Sequence, residues 1–223
     1  MKAPIASILM FAAASVSLAQ DSILFANVEG GVDAPITNAA GQRIVGPSSY
    51  VADLFWSTDT NARMDSLRAA GFNTQFSTYP GYFLGGGKDL GVGIVLVLCQ
   101  VRVWDTSYGA TYQEARDRGG EFGFSNLITI LPDYPPGPET VLNGLEGFQL
   151  QRLPQLASTL STTNTIVLSW PVEGTAYLVQ QNPDLSPNNW VTLQNSPITV
   201  GQKQQVTVPV PPTGRMFYRL VSQ

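Results

Sequence analysis

The chain has 223 residues, of which 43% are hydrophobic, 10% aromatic and only 13% charged, about half the usual charged share of roughly 25%. One cysteine and no histidine exclude a disulfide scaffold, a Ser-His-Asp triad, a Cys-His pair and the common His-bearing zinc sites. The apolar share excludes a disordered, strongly charged chain, and a net charge of -4 argues against a nucleic-acid partner.

Residues 1–19 read as a secretory signal peptide. Lys2 supplies a minimal positive start, and residues 5–16 form an apolar run shorter than the ~20 residues that span a bilayer. Ser17-Leu18-Ala19 places small residues where a signal peptidase reads, so cleavage before Gln20 is expected. No later apolar run is long enough to anchor the chain, which predicts an exported protein, secreted or in the cell envelope, with no transmembrane segment.

Periodicity beyond the leader is β throughout. Residues 22–27, 50–56, 92–104, 122–130 and 145–150 are the expected strands of a first part. Within the long third run, Gln100 and Arg102 alternate with Val101 and Val103, turning one face to solvent. The stretch 92–98 reads as a buried strand. Turn clusters fall at Gly30-Gly31, Gly46-Pro47, Tyr79-Pro80-Gly81 and Gly85-Gly86-Gly87. One short helix is predicted, with Thr111 and Glu114 as a capping box, Glu114 four residues before Arg118 as an ion pair, and Gly119-Gly120 as the stop. Residues 61–70 stay open between a helical turn and a long loop.

Pro132, Pro135, Pro136 and Pro138 mark a stiff connection, after which 145–150 returns as the closing strand of the first part. A Ser/Thr-rich linker leads to a second set of strands at 165–170, 176–181, 190–193, 204–208 and 216–221. The expected organisation is a signal peptide (1–19), a β-sandwich with one short helix (20–150), a linker (151–163) and a small β-sandwich module (164–223). The fold class is all-β. Residues 20–150 carry 14 acids and 7 bases, net -7, whereas 151–223 carry 2 acids and 4 bases, net +2. A module of about 60 residues without disulfide or metal is marginal alone, so it is expected to lean on the first part.

Two resemblances follow from these residues. Ile23 to Asn27, Gly31 to Ile36 and Tyr50 to Leu54, with Gln100 to Asp105, Tyr112 to Ala115 and Phe122 to Ser125, resemble secreted proteins of environmental bacteria whose own function is unassigned. Many of those proteins carry a sorting tail of the PEP-CTERM kind. This chain ends Arg219-Leu220-Val221-Ser222-Gln223 instead, so anchoring through such a tail is not expected. Leu168-Ser169-Trp170, Tyr177 to Gln180, Asp184-Leu185, Trp190 and Phe217 to Leu220 resemble the short fibronectin type III-like modules, with an Ig-like sandwich, at the tails of exported bacterial proteins. That resemblance implies a spacing or sticking role. From the residues alone, either Val167 with Ser169 or Leu168 with Trp170 faces the core.

Chemical motifs are few. The glycines before Lys88 fail as a phosphate loop, because Tyr82 and Asp89 stand where glycine and a hydroxyl residue are needed. Asp105, Glu114, Asp117 and Glu121 are the acids that could flank a glycosidic bond, but a cap, a solvated helix face and turns account for them singly. No catalytic, cofactor-binding or metal-ligating residue is assigned and no cofactor is expected, although an irregular calcium site at Asp33, Asp53 or Asp59 stays open. Cys99 reads as a buried, inert thiol. Aromatic residues give the candidate binding surface: Tyr79, Tyr82, Phe83 and Trp190 could stack on sugars or partner surfaces, set against core packing. The expected function is a non-enzymatic envelope or extracellular-matrix protein with an adhesive or spacer role and glycans or surface components as partners. A carbohydrate-binding module and an accessory domain of a secreted hydrolase are the alternatives.

Overall fold

The computed structural model describes residues 22–133, 137–172, 176–211 and 215–222. The expected signal peptide lies outside the described residues, as do Pro135 and Pro136 of the proline connection. The chain is mostly β-strand with one short α-helix among the described residues. None of these residues forms a helix long and apolar enough to cross a membrane.

The first part comprises β1 (Ile23–Ala26), β2 (Val28–Glu29), β3 (Val32–Asp33), β4 (Tyr50–Ser57), β5 (Arg68–Ala69), β6 (Thr74–Gln75), β7 (Leu84–Lys88), β8 (Val97–Asp105), β9 (Phe122–Phe124), β10 (Ile128–Ile130) and β11 (Thr140–Val141), with helix α1 (Tyr112–Asp117) after β8. A three-stranded sheet ordered β11-β1-β7 faces a six-stranded sheet whose main path is β10-β8-β4-β5, with β6 beside β4 and β9 beside β8. Ile23 and Phe25 from the first sheet meet Ala52, Leu54, Trp56, Cys99, Val101 and Val103 from the second in one buried cluster. Alternation along β8 therefore sends Cys99, Val101 and Val103 inward and leaves Gln100, Arg102 and Trp104 on the outer face.

Several expectations about this part change. Strand β8 begins at Val97, and Ile94, Val95 and Leu96 are exposed, not buried in a strand. The glycine triplet is no turn: Gly85, Gly86 and Gly87 sit in β7, paired antiparallel with β1 through a register shift. A Cβ on Gly85 would lie 2.7 Å from Thr74 Oγ1 and 2.8 Å from the Phe25 carbonyl oxygen, so close approach of neighbours demands glycine there. Gly86 has φ +67°, the left-handed conformation that a bulge accommodates. Residues 145–150 form no regular strand. They run extended beside Thr37, whose N–H donates to the Phe148 carbonyl and whose carbonyl accepts from the Leu150 N–H. Residues 61–70 contain a 3-10 turn at Met64–Ser66 followed by β5.

The second part comprises β12 (Ala157–Leu160), β13 (Thr165–Pro171), β14 (Tyr177–Asn182), β15 (Val191–Thr192), β16 (Ile198–Val200), β17 (Lys203–Pro209) and β18 (Phe217–Ser222). They make two sheets, β12-β13-β17-β16 and β15-β14-β18. Ala157–Leu160, read from sequence as linker, is a strand paired with β13. Leu168 and Trp170 face inward, joining Val206 and Val208 of their own sheet and Val179 of the other. The two parts have separate buried clusters, and each sheet pairs only strands of its own part. The segment between them is tied to the first part by the Phe122–Gln151 backbone pair and by an Arg152–Glu121 ion pair at 3.0 Å.

Candidate functional site

The four sequence-predicted aromatic residues do not share a surface. Tyr79 is 61% exposed and stacks on Tyr82, with ring centroids 4.9 Å apart and an interplanar angle of 17°. Tyr82 itself is buried, its hydroxyl donating to Asp33 (2.6 Å) and accepting from Arg43 (3.3 Å). Its phenol is raised by the Asp33 carboxylate, against the lowering effect of Arg43. Phe83 lies wholly in the core against Phe25 and Phe76. Packing thus withdraws Tyr82 and Phe83 from any binding surface and leaves Tyr79 alone. Trp190 is half-buried, with one face covered by the Arg219 guanidinium at 4.1 Å.

The four acids weighed for catalysis are each held by the protein's own donors. Asp105 accepts from the Ser107 N–H and hydroxyl; burial raises its carboxyl, but the hydrogen bonds of Ser107 and Ser49 outweigh that and leave it low. Glu121 accepts from the Ala39 N–H, the Tyr50 hydroxyl and Arg152. The Tyr50 phenol is pushed far up, by burial first and then by Glu121. Asp105 and Glu121 are neighbours, joined by a backbone bond of 3.0 Å, whereas the helix acids serve α1 itself. Glu114 accepts from the Ala110 N–H, while its own N–H completes the Thr111 cap, and Asp117 accepts from Gln113. The expected Glu114–Arg118 ion pair does not form; Arg118 donates to the Tyr108 carbonyl.

Asp53 is likewise engaged by the protein, its carboxylate accepting from the amides of Leu54, Gly71 and Phe72. Asp33 is engaged by Tyr82 and Asp59 by the Asn61 N–H, and no group of three metal-ligating side chains converges among the described residues. Burial pushes the Cys99 thiol up to about 12, so it carries little thiolate at neutral pH.

A different arrangement emerges on the outer face of the larger sheet, where Gln100 and Arg102 of β8 form the floor of a groove of about 220 Å³. Register places Phe124 of β9 directly across from Arg102. Helix α1, which buries Tyr112 and Ala115 against Trp104 and Phe122, brings Tyr112, Gln113 and Arg116 to one wall. The 3-10 turn brings Met64 and Asp65 to the other.

Arg102 is locked in this groove. Its guanidinium lies over Phe55 at 4.1 Å and Tyr112 at 5.2 Å, its Nε donates to Gln100 Oε1 at 2.9 Å, and Nη2 donates to the Met64 carbonyl. Gln100 is itself held by the Ser125 carbonyl. Burial lowers the Arg102 guanidinium, Tyr112 raises it and Arg116 lowers it further. Burial lifts the Tyr112 phenol to about 12 against the pull of Arg102 and Arg116. Neither arginine has a carboxylate partner among the described residues. Phe124 is 42% exposed.

The sequence turned the face of Gln100 and Arg102 to solvent, whereas Gln100 is buried and Arg102 half-buried beneath α1 and the 3-10 turn, and Met64, Tyr112, Arg116 and Phe124 were missed as a group. The alternation along β8 was the available signal. No family model matches the chain, and neither the curated proteins nor the solved structures contain a match.

Proposed function

We propose that this is an exported, non-enzymatic protein of the envelope or extracellular matrix with an adhesive role exercised through the Arg102 groove. The observation that carries the reading is the contrast between the two kinds of charge. The acids that could do general acid–base work are engaged by structural donors, while two arginines beside an exposed ring line an open groove without carboxylate partners among the described residues. Aromatic rings flanked by fixed donors suit recognition of a ring-shaped ligand, which favours glycan binding over a pure spacer.

Export is supported by the apolar run at 5–16 and the small residues before Gln20. The four- and three-stranded sheets of the second part support a fibronectin type III-like or Ig-like module, holding the first part away from a surface. The test is retention of the mature chain on isolated extracellular matrix. Wild type should be retained, and the double substitution Arg116→Gln with Phe124→Ala should wash through. A wild-type protein that washes through as readily as the double variant is a spacer and not an adhesin.

A further inference from the structure

We infer that the groove over Gln100 and Arg102 binds a carboxylate carried on a sugar ring, the uronic-acid unit of an acidic polysaccharide, an assignment that rests on reading this groove as the adhesive site. The chain has 16 acidic and 12 basic residues, so basic charge is the scarcer kind. Two of those bases nevertheless line one groove, and neither pairs with an acid among the described residues. Asp53 lies opposite Arg102 in the β4–β8 register, but its carboxylate is taken by three backbone amides. Asp65 at the rim is held by Arg63 at 3.1 Å, and Asp117 takes the Gln113 amide.

The donors are already in place for an anion. A guanidinium carries five N–H groups, and Gln100 and Met64 occupy one each on Arg102. The remaining three sit on a guanidinium held against the adjoining Phe55 and Tyr112 rings, which limits the side-chain entropy lost on binding. A carboxylate takes two parallel N–H bonds from such a fork, with Arg116 supplying a second cation. The rest of the groove fits a ring. Phe124 offers an apolar face opposite Arg102, and Tyr112, which also lines the groove, brings a phenol that can donate to or accept from sugar hydroxyls. About 220 Å³ is the share of roughly seven waters at ~30 Å³ each, room for a single ring of a chain that continues into solvent. An acidic peptide is disfavoured because extended peptides add to open sheet edges, and β8 is an interior strand with partners on both sides.

Calorimetric titration of the mature full-length chain at low salt decides this, with oligogalacturonate, its methyl ester and polyglutamate as the three probes. Oligogalacturonate should bind, and methyl esterification should weaken binding about tenfold or more, the usual worth of a charge-assisted hydrogen bond. Arg116→Gln should weaken oligogalacturonate about tenfold and Phe124→Ala several-fold, both with unchanged thermal melts because both side chains are exposed. Equal binding of acid and ester, or polyglutamate as tight as oligogalacturonate, overturns the uronate assignment and leaves the adhesive groove standing. Undiminished binding by Arg116→Gln takes the ligand out of the groove, and no binding of any probe likewise overturns the assignment. Matrix retention of wild type against the double variant then reports separately on adhesion.

Discussion

At Asp53, burial and hydrogen bonding pull in opposite directions. Three backbone amides favour the carboxylate, yet desolvation is the larger effect and the carboxyl is raised above its ordinary 3.8. Folded Asp53 thus holds its proton more tightly than unfolded Asp53. Its stabilising contribution is fully present below the unfolded value and is lost as pH rises through the higher folded one. Asp105 runs the other way: held low, it stabilises the fold above 3.8 and loses that contribution as pH falls through its folded value. Asp53→Asn removes one titration and turns one amide contact repulsive, at about 1–3 kcal/mol. The gap in melting temperature between wild type and this variant should widen as pH is lowered from 7 towards 4. A gap that narrows on acidification refutes the raised carboxyl.

At the scale of elements, β7 shows why a glycine triplet can be a strand. Gly85 and Gly87 both lack room for a Cβ, but for different reasons. Around Gly85 the obstruction includes the Phe25 backbone carbonyl at 2.8 Å and the Phe25 ring at 3.0 Å, whereas at Gly87 the nearest atoms belong to the carboxylate of exposed Glu139. Backbone and core rings cannot move, but an exposed carboxylate can swing into solvent. Gly85→Ala should therefore destabilise by about 1–3 kcal/mol through overpacking, and Gly87→Ala by much less. Denaturant melts of the two variants measure the contrast, and equal losses would place the constraint elsewhere in the strand. Asn27 ties the same region together. Its amide donates to the Ala34 and Gly81 carbonyls and its oxygen accepts from the Phe83 N–H, which draws the aromatic segment 79–83 onto β1.

For the whole molecule, the separation of cores sets the expected unfolding behaviour. Trp170 is 2% exposed in the cluster that holds Leu168, Val179, Val206 and Val208. Truncation to Ala should cost about 3–5 kcal/mol, a large part of what a small domain holds. The first part has its own clusters around Phe25 and Trp104. Scanning calorimetry of the full chain should therefore resolve two transitions, with Trp170→Ala lowering one and leaving the other in place. A single transition that shifts as a unit would show that the segment 151–156 couples the parts tightly, the arrangement that the charge contrast between them suggested.

Period-2 alternation, turn residues and a capping box are local signals, and the features they govern were legible in the amino-acid sequence. The all-β class, strands β1, β4 and β13, helix α1 with its Thr111 cap, and the alternation that sets Gln100 and Arg102 on the face of β8 away from the main core all belong to that group; the cover that α1 lays over that face does not. Tertiary structure decided what depends on distant neighbours. Tyr79, Tyr82 and Phe83 are adjacent rings with similar local chemistry, and only the positions of Asp33, Asn27 and Phe25 make one exposed and two buried. Leu168 rather than Val167 faces inward because β14 and β18 cover that side of the sheet. The groove needs Arg102 from β8, Arg116 from α1, Phe124 from β9 and Met64 from the 3-10 turn. No sequence spacing encodes that meeting, because it is produced by strand register and by the way Tyr112 and Ala115 seat the helix on Trp104 and Phe122.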